Sequence, residues 1–142
     1  MANMFSGHPA RTQQLLGAAA IVRSAYQGDD LGELAQNLQA RIAVDPSDAD
    51  AWMDLSVVLL IGGNRELSLE FQCTAIQLKR CFTSVYGAGT GLRVLAFKVP
   101  GDLMANTPIE FLLEGSDVTL HTCYLDDAFF PDAKVLPEHD VA

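Results

Sequence analysis

The side chains of this chain best able to do chemistry are three cysteines, three histidines and a scatter of aspartates. Cys73, Cys81 and Cys123 are odd in number, contain no CxxC pair and have no histidine cluster nearby. That pattern argues against a disulfide scaffold or a structural zinc site and points to reduced thiols, with Cys73 and Cys81 as small packing residues. His121 and Cys123 lie two apart in a strand-like run and so share a face. Proximity of an imidazole lowers a thiol pKa, yet side chains two apart on a strand are poorly placed for a catalytic hydrogen bond. His121 therefore reads as a packed or edge histidine. Asp102, Asp126 and Asp127 follow two strand-like runs and would share an edge. Three carboxylates there suit a hard cation, but the expectation is no metal and no cofactor. Gly87-Ala88-Gly89-Thr90-Gly91 resembles a phosphate loop only in composition. A dinucleotide fingerprint follows a strand and opens a helix, whereas this stretch precedes a strand. The loop holding Gly101, Asp102, Asn106 and Thr107 is the better ligand candidate, because open α/β sheets bind ligands beyond the carboxyl ends of their strands. Thr107 and Glu110 would cap each other there, and Glu110 would repel an anion.

The elements that must position these groups fall into two halves. Residues 1–8 lack periodicity and read as a flexible terminus. Pro9 suits a first helical turn, and Leu15, Ala18, Ala19, Val22 and Tyr26 form a stripe ended by Gly28. Asp30 and Glu33 form a capping box ahead of Leu31, Leu34, Leu38 and Ile42, and Pro46 stops that helix. Ser47 or Asp48 caps a third helix with Trp52, Leu55, Val58 and Leu59 apolar. After Gly62-Gly63, Asn64 caps a fourth, whose stripe is Leu67, Phe71, Thr74 or Ala75, and Leu78. Lys79 and Arg80 are expected in its last turn, complementing the macrodipole.

Residues 81–91 read as a glycine-rich linker or hinge. Leu92 to Val99 is a nearly continuous apolar run of strand length, suited to a parallel sheet covered on both faces. A short helix from Pro108 to Gly115 and a second strand from Val118 to Leu125 complete a βαβ-like unit over residues 92–142. Asp140-Val141-Ala142 would open a third strand. The expected fold is a mainly α half over residues 9–80 followed by a small α/β unit that reads as incomplete.

The residues Trp52, Leu55, Leu59, Gly63, Phe71 and Ala75 fall where the tetratricopeptide repeat places its aromatic, leucine, turn glycine and small inter-helix residue. Ala51 to Leu78 thus resembles one repeat, and Pro9 to Asp45-Pro46 resembles an earlier, degenerate one. Ser56, Ser68 and Arg80 depart from the usual glycine, alanine and proline, and Arg41 from a small residue. The resemblance implies stacked helical hairpins with a concave peptide-binding surface lined by Asp50, Asp54 and Val57. An acidic groove of that kind prefers basic or amine-bearing partners. The C-terminal part is similar to the α/β segment that precedes ATP-grasp-like domains in some bacterial tetratricopeptide proteins, which implies the opening of a ligase.

Asp and Glu number 18 against nine Lys and Arg, a net charge of −9. That excess argues against non-specific nucleic-acid binding and against docking on anionic lipid. Much of it sits near helix N-termini at Asp30 and Asp48 and in the tail. The run from Leu15 to Val22 is too short to span a bilayer and is a poor signal peptide. The expected function is a cytoplasmic protein–protein or peptide interaction module, non-catalytic in this chain and self-associating because two repeats leave an open end. The alternatives are the N-terminal fragment of an ATP-grasp-like ligase and a structural oligomerisation module.

Overall fold

A computed structural model describes residues 14–128 and 130–142. The expected loose terminus and the Pro9 helix start lie outside those residues. Four helices come first: α1 (Ala18–Gln27), α2 (Leu31–Val44), α3 (Ala49–Ile61) and α4 (Arg65–Leu78). They are followed by β1 (Cys81–Tyr86), β2 (Leu92–Lys98), α5 (Ile109–Leu113) and β3 (Val118–Tyr124).

The caps behave as their chemistry requires. Asp30 accepts from the N–H groups of Gly32 and Glu33, Asp48 from Ala51, and Asn64 from Leu67, each satisfying an otherwise unpaired first-turn donor. Gly28 takes the left-handed conformation that closes α1, with φ 84°. Two boundaries differ from expectation. Residues 14–17 are not helical, and α1 begins only after Gly17, whose φ of 85° suits glycine. The N–H groups of Leu16 and Gly17 are instead drawn to Asp54. At the other end, Lys79 is extended and lies beyond α4. Its ammonium reaches Asp50 at 2.6 Å and sits 4.9 Å over the Phe82 ring, so it serves the interface with the sheet rather than a helix dipole.

Helix α3 is the hub, packing against α1, α2 and α4. On one side Ile21, Leu38, Ala51, Leu55 and Val58 form a core joined by Leu31, Leu34, Ile42 and Phe71. On the other, Ala49 and Met53 meet Ala75, Ile76, Phe82 and Tyr124. Trp52 meets Phe71 edge-on at 4.9 Å. Leu78, placed on the apolar stripe of α4 by its spacing, is exposed, and Ile76 is buried in its stead because the sheet covers that side.

The sheet order is β1-β3-β2, with β2 parallel and β1 antiparallel to β3. The expected β2–α5–β3 unit is therefore present. Cys81–Tyr86 is strand where a linker was expected, which is a correction. Residues paired across strands share a face. Phe82, Ser84, Leu120, Thr122, Tyr124, Ala96 and Lys98 thus lie together, and Phe82 and Tyr124 carry that face onto α3 and α4. Leu92 and Phe97 are exposed, so β2 is not covered on both faces. Val141 makes an isolated parallel bridge to Val94, short of the strand expected there.

The register also places Cys81 opposite Cys123, and the two form a disulfide. The expectation of reduced thiols is corrected for this pair. The antiparallel pairing of β1 with β3 brings the two residues to 4.2 Å between Cα atoms, which spacing along the chain does not reveal. Cys73 is free and exposed. No helix among the described residues is long and apolar enough to cross a membrane.

Candidate binding cleft at the seam between helices and sheet

The helical layer and the sheet do not close completely where they meet. Between them lies a cavity of about 80 Å³, lined from α3, α4, the inner face of the sheet and the loop before α5. Five of the seven residues singled out from the sequence line it: Asp54, Val57, Gly101, Asp102 and Asn106. Asp50 and Thr107 do not. Asp50 is paired with Lys79, and Thr107 is exposed outside the cleft.

Asp54 does not face a solvated groove as expected, because the chain's own sheet and residues 15–17 cover that side of α3. It is fully buried; Oδ2 accepts from Leu16 N–H at 2.8 Å and Oδ1 from Gly17 N–H at 3.0 Å. Burial pushes its carboxyl up to about 7, against the pull of those two bonds and of Arg41. Asp54 is thus the clamp that holds the entry to α1 against α3.

The loop candidates are held by side chains around them. Gln72 grips Gly101 in both directions, accepting from its N–H and donating to its carbonyl, each at 2.8 Å. Asn106 does the same to Val99, again at 2.8 Å in each direction. Arg65 donates to Asp102 at 3.0 Å and holds that carboxyl below its usual range. Asp126 is paired with Arg80. The sequence-level trio Asp102, Asp126 and Asp127 therefore does not converge, and no group of three His, Cys, Asp or Glu side chains among the described residues could hold a metal ion.

The floor of the cleft is a pair that the sequence reading missed. Lys98, on the inward face of β2, bonds Oε1 of Glu110 in the first turn of α5, and both side chains are nearly buried. Glu110 was expected to cap α5 with Thr107. The helix instead starts after Pro108 without a side-chain cap, and Glu110 turns inward because a buried ammonium needs a counter-charge more than a solvated helix end needs a cap. Its second oxygen, Oε2, is buried and has no hydrogen-bond partner. Beside it stands Tyr124, whose hydroxyl lies 4.0 Å from the Met53 sulfur and whose pKa is pushed up to about 12, by burial first and then by Glu110. Leu103 and Phe111, both more than a third exposed, and Val57 form an apolar rim.

His121 sits on the opposite face of the sheet, hydrogen-bonded to Thr83 at 2.9 Å, with its pKa lowered by burial first. Cys123 is on that same face but is locked in the disulfide, so no imidazole–thiolate pair exists. The glycine-rich stretch is a turn between β1 and β2, pinned where Asp117 accepts from both the N–H and the hydroxyl of Thr90. The cleft is thus lined by an ion pair and a phenol inside an apolar rim, groups of the kind that can bind and orient a ligand. Compared with known proteins, the chain matches no family model, no curated protein and no solved structure.

Proposed function

We propose that this chain is a non-catalytic protein–protein or peptide interaction module, in which tetratricopeptide-like helical hairpins and the small sheet together hold a side chain of the partner in the cleft at their seam. The observation that carries this reading is the combination of an apolar rim at Val57, Leu103 and Phe111 with a buried, incompletely bonded polar floor. Binding sites for small groups are concave and mostly apolar, with a few placed polar atoms. The stacking of α3 on α1, α2 and α4 supports the repeat-like part of the proposal.

The same proposal places the protein in a cytoplasm. Thiol buffers there would act on the Cys81–Cys123 pair, so binding is to be compared in oxidised and reduced protein. It also includes self-association, for which Val44 and Phe130 are among the exposed apolar side chains. The test is selection from a peptide library displayed on phage, using the whole chain as bait. Peptides enriched on the protein should lose binding when the cleft is filled by Val57→Trp and keep it when an exposed distant residue, Tyr26→Ala, is changed. Enriched peptides indifferent to Val57→Trp, or no enrichment, would sink the proposal.

One observation favours the ligase reading as a second possibility. Val141 adds to the outer side of β2 in the same direction as β3, the growth pattern of an open parallel sheet. ATP-binding elements encoded after Ala142 in the native gene would favour it over the adaptor.

A further inference from the structure

We propose that the outer edge of β1 is the surface through which two copies of this chain associate, β1 pairing antiparallel with β1 across a twofold axis at Thr83; this rests on the self-association included in the reading above and names its seam. Hydrogen-bonding direction alternates along a strand. The Arg80 carbonyl accepts from Tyr124 N–H, so Phe82, Ser84 and Tyr86 turn their backbone groups to β3. Cys81, Thr83 and Val85 therefore turn theirs outward. No hydrogen bond among the described residues reaches those outward N–H groups or carbonyls. Thr83 and Val85 are exposed.

The two edges of the sheet are treated differently. At the far edge Leu95 N–H donates to the Val141 carbonyl at 2.8 Å, and Arg93 binds Asp140 and Glu138, so the chain's own tail covers β2. Strand β1 has no such cover. Its sequence, CFTSVY, holds no charge and no proline, the devices that keep an edge strand from pairing.

Charge and symmetry select a second copy as the occupant. Two copies, each with a net charge of −9, repel wherever their acidic surfaces meet. The edge of β1 is uncharged, and the charges at its ends are already paired. Lys79 is bound to Asp50 and Arg80 to Asp126 before it, and Glu114, near Tyr86 at its finish, to Arg23. The edge is also complementary to itself. A twofold axis at Thr83 sets Cys81 opposite Val85 and threonine opposite threonine, so each outward N–H meets an outward carbonyl, in about six hydrogen bonds. A threonine pair is a favourable cross-strand neighbour. The disulfide fastens Cys81 to β3, so the edge is presented in a fixed register. A seam of one strand pair is smaller than the interface of a permanent dimer, which puts the association in the micromolar range.

Sedimentation equilibrium of the whole chain across that range should show monomer and dimer in exchange. Thr83→Lys and Thr83→Glu each set like charges opposite one another at the axis and should weaken the dimer at least about fivefold. An equimolar mixture of the two variants should recover it, because opposite charges then face each other. Amide exchange at Thr83 and Val85 should slow as the concentration of the unaltered protein rises. A dimer indifferent to both charge variants, a mixture that stays monomeric, or exchange at Thr83 and Val85 that ignores concentration would overturn the proposal. Should the variants not fold, the exchange measurement on the unaltered protein decides. Library peptides that shift the Thr83 and Val85 amides of a protein that stays monomeric would assign the edge to a partner's strand and overturn the second copy. A dimer broken by Val44→Lys and untouched by Thr83→Lys would overturn the β1 seam and leave self-association standing. A monomer throughout would overturn self-association itself, while the peptide selection at the cleft decides the rest of that reading.

Discussion

Asp54→Asn should change the pH dependence of stability more than it changes stability itself. The folded-state carboxyl is pushed up from 3.8 to about 7 by burial. As pH rises above about 4, the unfolded chain releases this proton while the folded chain keeps it, so folding stability falls with rising pH until both states are ionised near 7. At 1.36 kcal/mol per pKa unit, this 3.8-to-7 shift costs about 4 kcal/mol between those limits. Asparagine cannot ionise and removes that slope. It also supplies one acceptor oxygen for two donors, Leu16 N–H and Gly17 N–H, a penalty of ~1–3 kcal/mol at every pH. The variant should therefore be the less stable protein near pH 4 and approach or pass the unaltered protein near pH 8. His121 works in the opposite sense. Its folded pKa is lowered, so its contribution is present above its unfolded value and lost as pH falls through the folded one. Asp102, Asp117 and Asp140, all lowered, act mainly below pH 4. The quantity to measure is therefore the difference between the two proteins, by urea unfolding in steps from about pH 4 to about pH 8. Difference curves that stay flat to within ~0.5 kcal/mol would refute the assignment of Asp54 as a buried group held largely by burial.

Lys98→Met alone leaves Glu110 buried without its counter-charge and should cost ~3–5 kcal/mol in urea unfolding, whereas Lys98→Met/Glu110→Met should recover most of it. Reduction of the disulfide, or Cys81→Ser with Cys123→Ser, releases a loop of 42 residues and should lower stability by about 4 kcal/mol. Thiol titration of unfolded, unreduced protein should count one free thiol, that of Cys73. Gly91→Ala drives a Cβ into the backbone carbonyl of Asp117, where the turn before β2 meets the start of β3, and should cost at least ~1–3 kcal/mol. A monomeric mass by light scattering at micromolar concentration would refute self-association.

The helical half was legible because its signals are local. Asp30, Asp48 and Asn64 each sit where a first-turn N–H needs an acceptor, and Pro46 and Gly62 close the first two of the helices they open. The β2–α5–β3 unit was legible from two apolar runs around a short helix bracketed by Pro108 and Gly115. Strand β1 was hidden by the glycines that follow it, although Phe82, Thr83, Val85 and Tyr86 carry strand propensity. The disulfide was illegible because it depends on register between strands, not on spacing. One further signal was present and unused. Helix α3 is apolar nearly all round, the mark of a helix buried on several sides, so an aspartate in its middle had to be a bonded buried group rather than a groove residue. Lys98 was not legible in this way: it shares its parity with Val94 and Ala96, but Leu95, Phe97 and Val99 make the opposite parity the more apolar, and only the pairing of β2 with β3 turns the lysine inward.

The position of the cleft follows from what each half lacks. The helices leave Ala49, Met53, Ala75 and Ile76 uncovered, and the sheet leaves Phe82 and Tyr124 uncovered. Joining them buries all six. The join fails to be complete where polar groups interrupt the apolar seam, at Asp54 on one side and Lys98 on the other, and a cavity between two such groups follows. Its walls are already fixed: Gln72 ties the loop to α4, Asn106 ties it to β2, and Arg65 ties it through Asp102. A ligand entering there need not order the loop, so less of its contact energy is lost to entropy. The excess of acidic residues does not reach the floor, since the carboxylates at Asp50, Asp102 and Glu110 each have a cation of their own. The net charge of −9 is thereby carried by the outer surface and the tail rather than by the floor of the cleft.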